Sequence, residues 1–555
     1  MTTPLQRREW EKVLATHPDH AFARYICQGL QYGFRIGFHH GAPLQSATRN
    51  MESARSHPEV VTDYLQKECS LGRMLGPFSE TEALPCLHVN RFGVIPKGIN
   101  TGKFRLITDL SFPIASSVND GISPDLCTLA YTTVDVVASQ AAMLGVGAQL
   151  AKTDIEAVYR LIPVHLQDRI LQAVRWNNQV YIDPMLPFGL RSAPKIFNAV
   201  ADALHWHLIQ SGIQFLFHYL DDYIIVAPPN TQLCQQWLSV FLEECERLGV
   251  PIAHHKTEGP TTKITFLGIE MDTVMGELRL PQDKLVRLKE TLQDWRFRKA
   301  CTRKELESLI GQLNHACKVV RGGRSFLRRM LDLLHAVHCP PSSKVPIRLS
   351  HGFRADLAWW EEFVTQWNGI SILCPPPSLP KTHIYTDASG SWGCGAWHND
   401  AWFQLQWDRR AQSLSIAEKE LIPIILACQA WGGGWKGLCV VCHSDNQAVV
   451  ADLRSRTSKH EGMMHLLRCL VFAEAQAGCA LHSVYIDTKA NHLADSLSRN
   501  DVHYFMSKVP SAAPAPHPVS TPLLDLLLNK GADWTSPTWR QHFRGIFRQG
   551  WHRQQ

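Results

Sequence analysis

Apolar positions recur at helical spacing in the opening 84 residues. In PDHAFARYICQGL (18–30), Phe22, Tyr25, Ile26 and Leu30 share one face, and Asp19 stands where a helix N-cap belongs. From about 85 to 275 the pattern shortens. RFGVIPK and FRLITDL are brief apolar runs between glycines and prolines, which predicts a mixed region of strands and helices. Helical periodicity returns over 282–335 and again in DLAWWEEFVTQW (356–367), whose tryptophans read as core. CPPPSLP (374–380) reads as a stiff linker, because successive prolines cannot join a sheet. A second mixed region spans about 381–500, and SAAPAPHPVSTP (511–522) reads as a flexible or extended spacer before a short basic tail.

Composition narrows the class without naming a function. The chain of 555 residues is 45% hydrophobic and 19% charged, as expected of a soluble globular protein of several domains. No uncharged apolar run approaches the ~18 residues of a membrane span, and MTTPLQRREWEKV lacks the apolar core of a signal peptide. Sixteen cysteines without such a signal point to reduced thiols, hence to cytoplasm or nucleus and not to secretion. The net charge is only +6, yet Lys284–Arg329 holds thirteen Lys/Arg against four Asp/Glu. Such an excess suits a polyanion, although a solvated helical face explains a basic stretch equally well.

The sharpest chemistry is carried by aspartates on apolar strands. AKTDIEAVYRLIPV (151–164) places Asp154 in a strand-like run, and HYLDDYIIVAPP (218–229) sets Asp221 beside Asp222 in another. Buried like charges repel, and a divalent cation between neighbouring strands would cancel them. Adjacent residues of a regular strand face opposite ways. A tight hairpin turn is therefore expected at the pair, with Asp221 as the direct metal ligand.

These motifs, in this order, resemble reverse transcriptases. YLDD matches the Tyr-x-Asp-Asp signature, FGVIPKGINTGKFRLITDLS resembles the fingers, and TDIEAVYRLIPV the first catalytic strand. LPFGLRSAPKIFNAV resembles the segment that grips template and nucleotide, and FLGIEMD (266–272) the primer-grip hairpin. The resemblance implies that Asp154 and Asp221 hold metal, with Asp222 supporting the site. It implies that Lys97 and Arg105 face the incoming triphosphate, and that Tyr159 lies under the sugar as a steric gate. Phe188, Gly189 and Pro194 would shape the pocket, Lys256 would help neutralise pyrophosphate, and the basic 304–330 stretch would be the thumb, following duplex by its backbone.

A second acidic series follows. Asp387 ends an apolar run in THIYTDASG, Glu420 lies in the helix-like SIAEKELIPIILACQAWG, Asp445 ends CVVCHSDNQAVV, and Asp495 lies in NHLADSLSR. This order across alternating strands and helices resembles ribonuclease H, which implies two-metal hydrolysis of RNA. Ser415 and Glu418 have capping-box spacing, so Glu420 is the catalytic candidate and Glu418 a helix-start residue. His492 is either an aid to product release or a surface histidine. Cys439-Val-Val-Cys442-His443 spells a haem-attachment pattern, but buried alternation in a strand accounts for it.

The resemblances imply an α+β and α/β multidomain chain: a right-hand polymerase (palm, fingers, thumb), a connection and an RNase H-like domain. The expected boundaries are 1–84 N-terminal helical, 85–275 fingers and palm, 276–340 thumb, 341–380 connection and linker, 381–500 RNase H-like, and 501–555 flexible spacer and basic tail. The implied cofactor is Mg²⁺, with Mn²⁺ as alternative, two ions per active site. Implied partners are RNA template, DNA primer, RNA–DNA hybrid and dNTPs. The helical opening and RGGRSFLRRM resemble DIRS-type retrotransposons, related to gypsy-type elements, which use a separate tyrosine recombinase. The rival expectation is a degenerate or co-opted copy that only cleaves hybrid or binds nucleic acid.

Overall fold

Two strands that the sequence separates by 67 positions are neighbours in a four-stranded antiparallel sheet. Its order is Leu216–Tyr219, Asp222–Ala227, Gln149–Asp154, Glu258–Thr261. The Asp222–Ala227 strand is buried from Tyr223 onward because it is central and covered by helices Ala193–Gln210 and Leu233–Leu248. Pro194 sits in the first turn of the former helix, where a missing N–H costs nothing. The chain, described in a computed structural model, divides into two units, Met1–Ile264 and Thr265–Gln555. The described residues are 3–80, 86–96, 102, 104–340, 343–366, 370–372, 381–436, 438–529, 536, 537 and 539.

In the first unit the opening helices belong to the core beneath this sheet. Asp19 caps helix His20–Tyr32 by accepting from the N–H groups of Ala21 and Phe22. Ile26 and Leu30 are buried in the core, whereas Tyr25 stays 42% exposed. The Trp10 indole donates to the Leu248 carbonyl at 3.1 Å, tying helix Arg7–Leu14 to the far side of the fold. The expectation that 1–84 is helical needs one correction. Leu75–Ser79 is a strand pairing with Gln179–Ile182, because Gly76 and Pro77 disfavour a helix and the edge of a five-stranded sheet tolerates them. That sheet runs Leu75–Ser79, Gln179–Ile182, Ala173–Trp176, Val89–Pro96, Phe104–Asp109.

The second unit holds the basic stretch as helices Gln282–Trp295, Arg303–Ala316 and Arg328–His335. Its arginines are partly spoken for: Arg298 pairs with Asp294 and Glu305, and Arg303 with Glu307. Helix His351–Gln366 meets the helical periodicity expected of DLAWWEEFVTQW within the 341–380 connection. Trp359 and Trp360 are fully buried, Trp359 stacks on Phe326 with centroids 3.9 Å apart, and buried Asp356 pairs with Arg329 and Arg468. The CPPPSLP segment lies outside the described residues.

A mixed five-stranded sheet follows, ordered Ala401–Gln406, Gly393–His398, Lys381–Ala388, Cys439–Ser444, Ala480–Tyr485. The first three strands are antiparallel, and the last two run parallel to Lys381–Ala388 and to each other. The spacer expected to be flexible or extended takes the extended form, and the helix before it was not expected. Val502–Lys508 is helical, and beyond it Ala513 and His517 donate to Asp400 and Trp402 carbonyls at 2.7 Å. An extended proline-rich chain thus covers an otherwise open strand edge. Helix Thr521–Leu528 then buries Leu523, Leu526 and Leu527. Among the described residues no helix is long and apolar enough to cross a membrane.

Candidate active sites

The first site is built by register. Asp154 ends its strand directly opposite Asp222, and Tyr219 also pairs with Asp222, so Leu220 and Asp221 form the two-residue turn between strands. Leu220 takes a left-handed φ of 54°, an unfavourable state for a side chain with a Cβ. The expected hairpin turn is there, but residues directly opposite in a ladder share a face. It is Asp222 that stands opposite Asp154, close enough for the Asp154 charge to act on its carboxyl. Asp221 lies beside them, its carbonyl accepting from the Ile155 N–H at 3.2 Å.

Charge accumulates here. Burial, then Asp221 and Asp154, push the Asp222 carboxyl up to about 6. Burial raises Asp221 as well. Lys256 donates from Nζ to Asp154 Oδ2 at 2.9 Å and is itself held protonated by that contact. Next to the acids, Tyr159 meets Phe188 edge-on at 5.2 Å and Phe197 at 6.0 Å. Burial and the Asp221 charge push its hydroxyl up to about 12, so it stays neutral.

Arg105 pairs with Ile95 across the antiparallel strands Val89–Pro96 and Phe104–Asp109, and its exposed guanidinium lies 5.9 Å from the Phe188 ring. Lys97 lies outside the described residues. Gly189 has φ 96°, and a Cβ there would stand 2.8 Å from the Thr108 carbonyl. Gly189→Ala is therefore expected to cost about 1–3 kcal/mol and to raise the KM for nucleotide, read by thermal melting and steady-state kinetics. Sequence reading missed Asn119. Its amide donates to the Gly189 carbonyl and accepts from the Arg191 N–H, closing the same loop across 70 positions. Only long-range contact reveals it.

In the second unit Asp387 and Asp445 stand at the carboxyl ends of two adjacent parallel strands, the usual place for a ligand site. Glu420 reaches them from helix Ile416–Trp431. One oxygen from each of the three lies within 4.8 Å of the others. Both arms of the Ser415–Glu418 capping box are made, which leaves Glu420 as the acid that faces the aspartates. Burial, with Asp387 and Asp445 nearby, pushes Glu420 up to about 9, and its Oε2 is buried without a partner. Burial raises Asp387 to about 6 against a hydrogen bond with Ser498, with Asp445 and Asp495 adding to the rise.

Asp495, in helix His492–Ser498, acts on both groups through charge and is paired with Arg499 at 2.7 Å. That i,i+4 spacing is carried by DSLSR (495–499). His492 is exposed and meets the Tyr504 hydroxyl at 3.4 Å. Cys439 and Cys442 are buried in their strand. The donor set is all carboxylate oxygen, with an orphaned buried oxygen at its centre, which fits a hard divalent cation.

The first site thus presents three acids at one hairpin and its paired strand. Residues 98–271, about a third of the chain, match the family model for reverse transcriptase (RNA-dependent DNA polymerase). It is 23% identical over 256 residues to Protein P of Duck hepatitis B virus (strain China), covering 45% of this chain and 30% of that protein. It is 24% identical over 431 residues to the retrovirus-related Pol polyprotein from transposon opus of Drosophila melanogaster, covering 73% of this chain and 38% of that protein. The chain thus spans about a third of the length of these curated relatives. A solved foamy viral protease-reverse transcriptase in complex with double-stranded DNA covers 87% of this chain and 82% of its own, at 14% identity and TM-score 0.48.

Proposed function

We propose that this chain is the RNA-directed DNA polymerase of a retroelement, carrying a ribonuclease H in its second unit. The observation that carries the reading is the Asp154–Asp222 register with Asp221 in the adjoining turn, inside the residues that match the reverse transcriptase model. Asp154, Asp221 and Asp222 would hold divalent ions in one site and Asp387, Glu420, Asp445 and Asp495 in the other; such ions, when bound, supply the positive charge that phosphoryl transfer needs. The chain's own residues do the rest. Arg105, with Lys97, binds the triphosphate of a dNTP, and the Tyr159 ring lies under the sugar and leaves no room for a 2′-hydroxyl. Phe188 and Gly189 hold nucleotide against template, and the primer 3′-hydroxyl is aligned with the α-phosphate by position. Template RNA, DNA primer and RNA–DNA hybrid are the partners.

The helical opening and RGGRSFLRRM support a DIRS-type element with a separate tyrosine recombinase, acting in cytoplasm or nucleus. The test is extension of oligo(dT) on poly(rA) with Mg²⁺. Extension is expected and should vanish in EDTA. Wild-type protein that binds the duplex equally in EDTA and never extends it would instead be the co-opted binder.

A further inference from the structure

Tyr159 is carried by a single 3₁₀ turn, Val158–Leu161, and the next residue turns inward to a buried polar network that the polymerase reading does not use. Arg160 is 3% exposed. Its Nε donates to Glu68 Oε2 at 3.0 Å, Nη1 to Asp183 Oδ2 at 2.6 Å, and Nη2 to the Arg73 carbonyl at 2.7 Å. Arg73 in turn forks onto both Glu68 oxygens at 3.0 and 2.7 Å, and the second Asp183 oxygen accepts from the Met185 N–H. Two guanidinium groups therefore face two carboxylates, and each nitrogen of Arg160 has a partner. The three anchors come from helix Pro58–Ser70, from residue 73 and from residue 183, all far away in sequence.

The turn needs holding. It begins at Ala157 in the left-handed region, φ 57°, a conformation that persists only where the surroundings enforce it. Buried ion pairs are a poor way to gain stability compared with apolar packing, and a registry role is their best-attested use. With 3.0 residues per turn, fixing the direction of one side chain fixes that of its neighbour.

We infer that Arg160 is a positioning residue for sugar discrimination: anchored by Glu68, Asp183 and the Arg73 carbonyl, it fixes the angle at which the Tyr159 ring meets the sugar. The inference rests on the polymerase reading above and adds a determinant to it. Single-nucleotide incorporation should be measured with a dNTP and the matching rNTP, using one preparation of each variant. The ratio of the two kcat/KM values does not depend on the fraction of folded enzyme, so lost stability alone leaves it unchanged. Arg160→Lys and the charge-balanced double variant Arg160→Met/Asp183→Asn, which keeps the Arg73–Glu68 pair, should each lower the dNTP preference about 10-fold or more. Tyr159→Ala should lower it further. A preference unchanged in both Arg160 variants but lost in Tyr159→Ala overturns this inference and leaves the polymerase reading standing. A wild type that incorporates neither nucleotide overturns both.

Discussion

Asp222→Asn is expected to abolish primer extension, by at least ~10³-fold in kcat, while leaving the protein folded and slightly more stable. The first half follows from the ladder: Asp222 faces Asp154 across paired strands, so its carboxylate shares whatever charge Asp154 engages. Losing one anionic ligand from a phosphoryl-transfer site removes several kcal/mol of stabilisation. The second half follows from electrostatics. Burial, Asp221 and Asp154 hold the Asp222 carboxyl near 6, above the ordinary 3.8. The folded state therefore binds this proton more tightly than the unfolded state. Stability conferred by the neutral form is complete below about pH 4 and is lost as pH rises through about 6. An amide removes the charge, so in EDTA at pH 7.5 the melting temperature should rise by roughly 2–5 °C. Extension within 10-fold of wild type would exclude Asp222 from the site and leave Asp221 to be tested by the same substitution.

Glu420→Gln should abolish cleavage of RNA in an RNA–DNA hybrid while extension survives. Glu420, Asp387 and Asp445 converge within one unit of the chain, and Asp154, Asp221 and Asp222 lie in the other. Loss of both activities would argue that the sites are not separable. The accompanying pH effect is larger than at Asp222. Burial and three neighbouring acids push Glu420 from 4.5 up to about 9, so in metal-free protein its proton stabilises the fold, and that stability falls away between about pH 4.5 and 9. At about 1.4 kcal/mol per unit, half of that displacement is worth roughly 3 kcal/mol. The wild-type melting temperature in EDTA should drop several degrees from pH 5 to pH 9, and Glu420→Gln should flatten the slope. Glu418→Gln is the control: glutamine also serves at this position of a capping box, so both the fold and cleavage should be little changed.

The choice between these two glutamates was legible in the chain because it rests on local spacing. Ser415 and Glu418 are three apart, and the reciprocal hydrogen bonds of a capping box need nothing beyond the first turn. The Asp19 cap and the hairpin turn at Leu220–Asp221 were legible for the same reason. Pro423 was legible as a residue but not as an outcome: the helix runs through it, held by a buried face from Leu421 to Cys428. Packing outweighs the lost backbone bond there.

What stayed hidden depends on neighbours remote in sequence. Leu75–Ser79 is a strand because an edge lay open beside it, and SAAPAPHPVSTP is ordered because the Ala401–Gln406 strand offers its carbonyls. Neither segment carries the period of its final partner. By itself the sequence determined which acids sit on apolar strands, their order, and a hairpin turn at the Asp221–Asp222 pair. Only the tertiary structure decided that Asp222 stands opposite Asp154, and that Arg160 reaches Glu68 and Asp183 behind Tyr159. Local periodicity sets which way a side chain points along its own strand or turn. Cross-strand register and packing set what it meets, and those are properties of the whole fold.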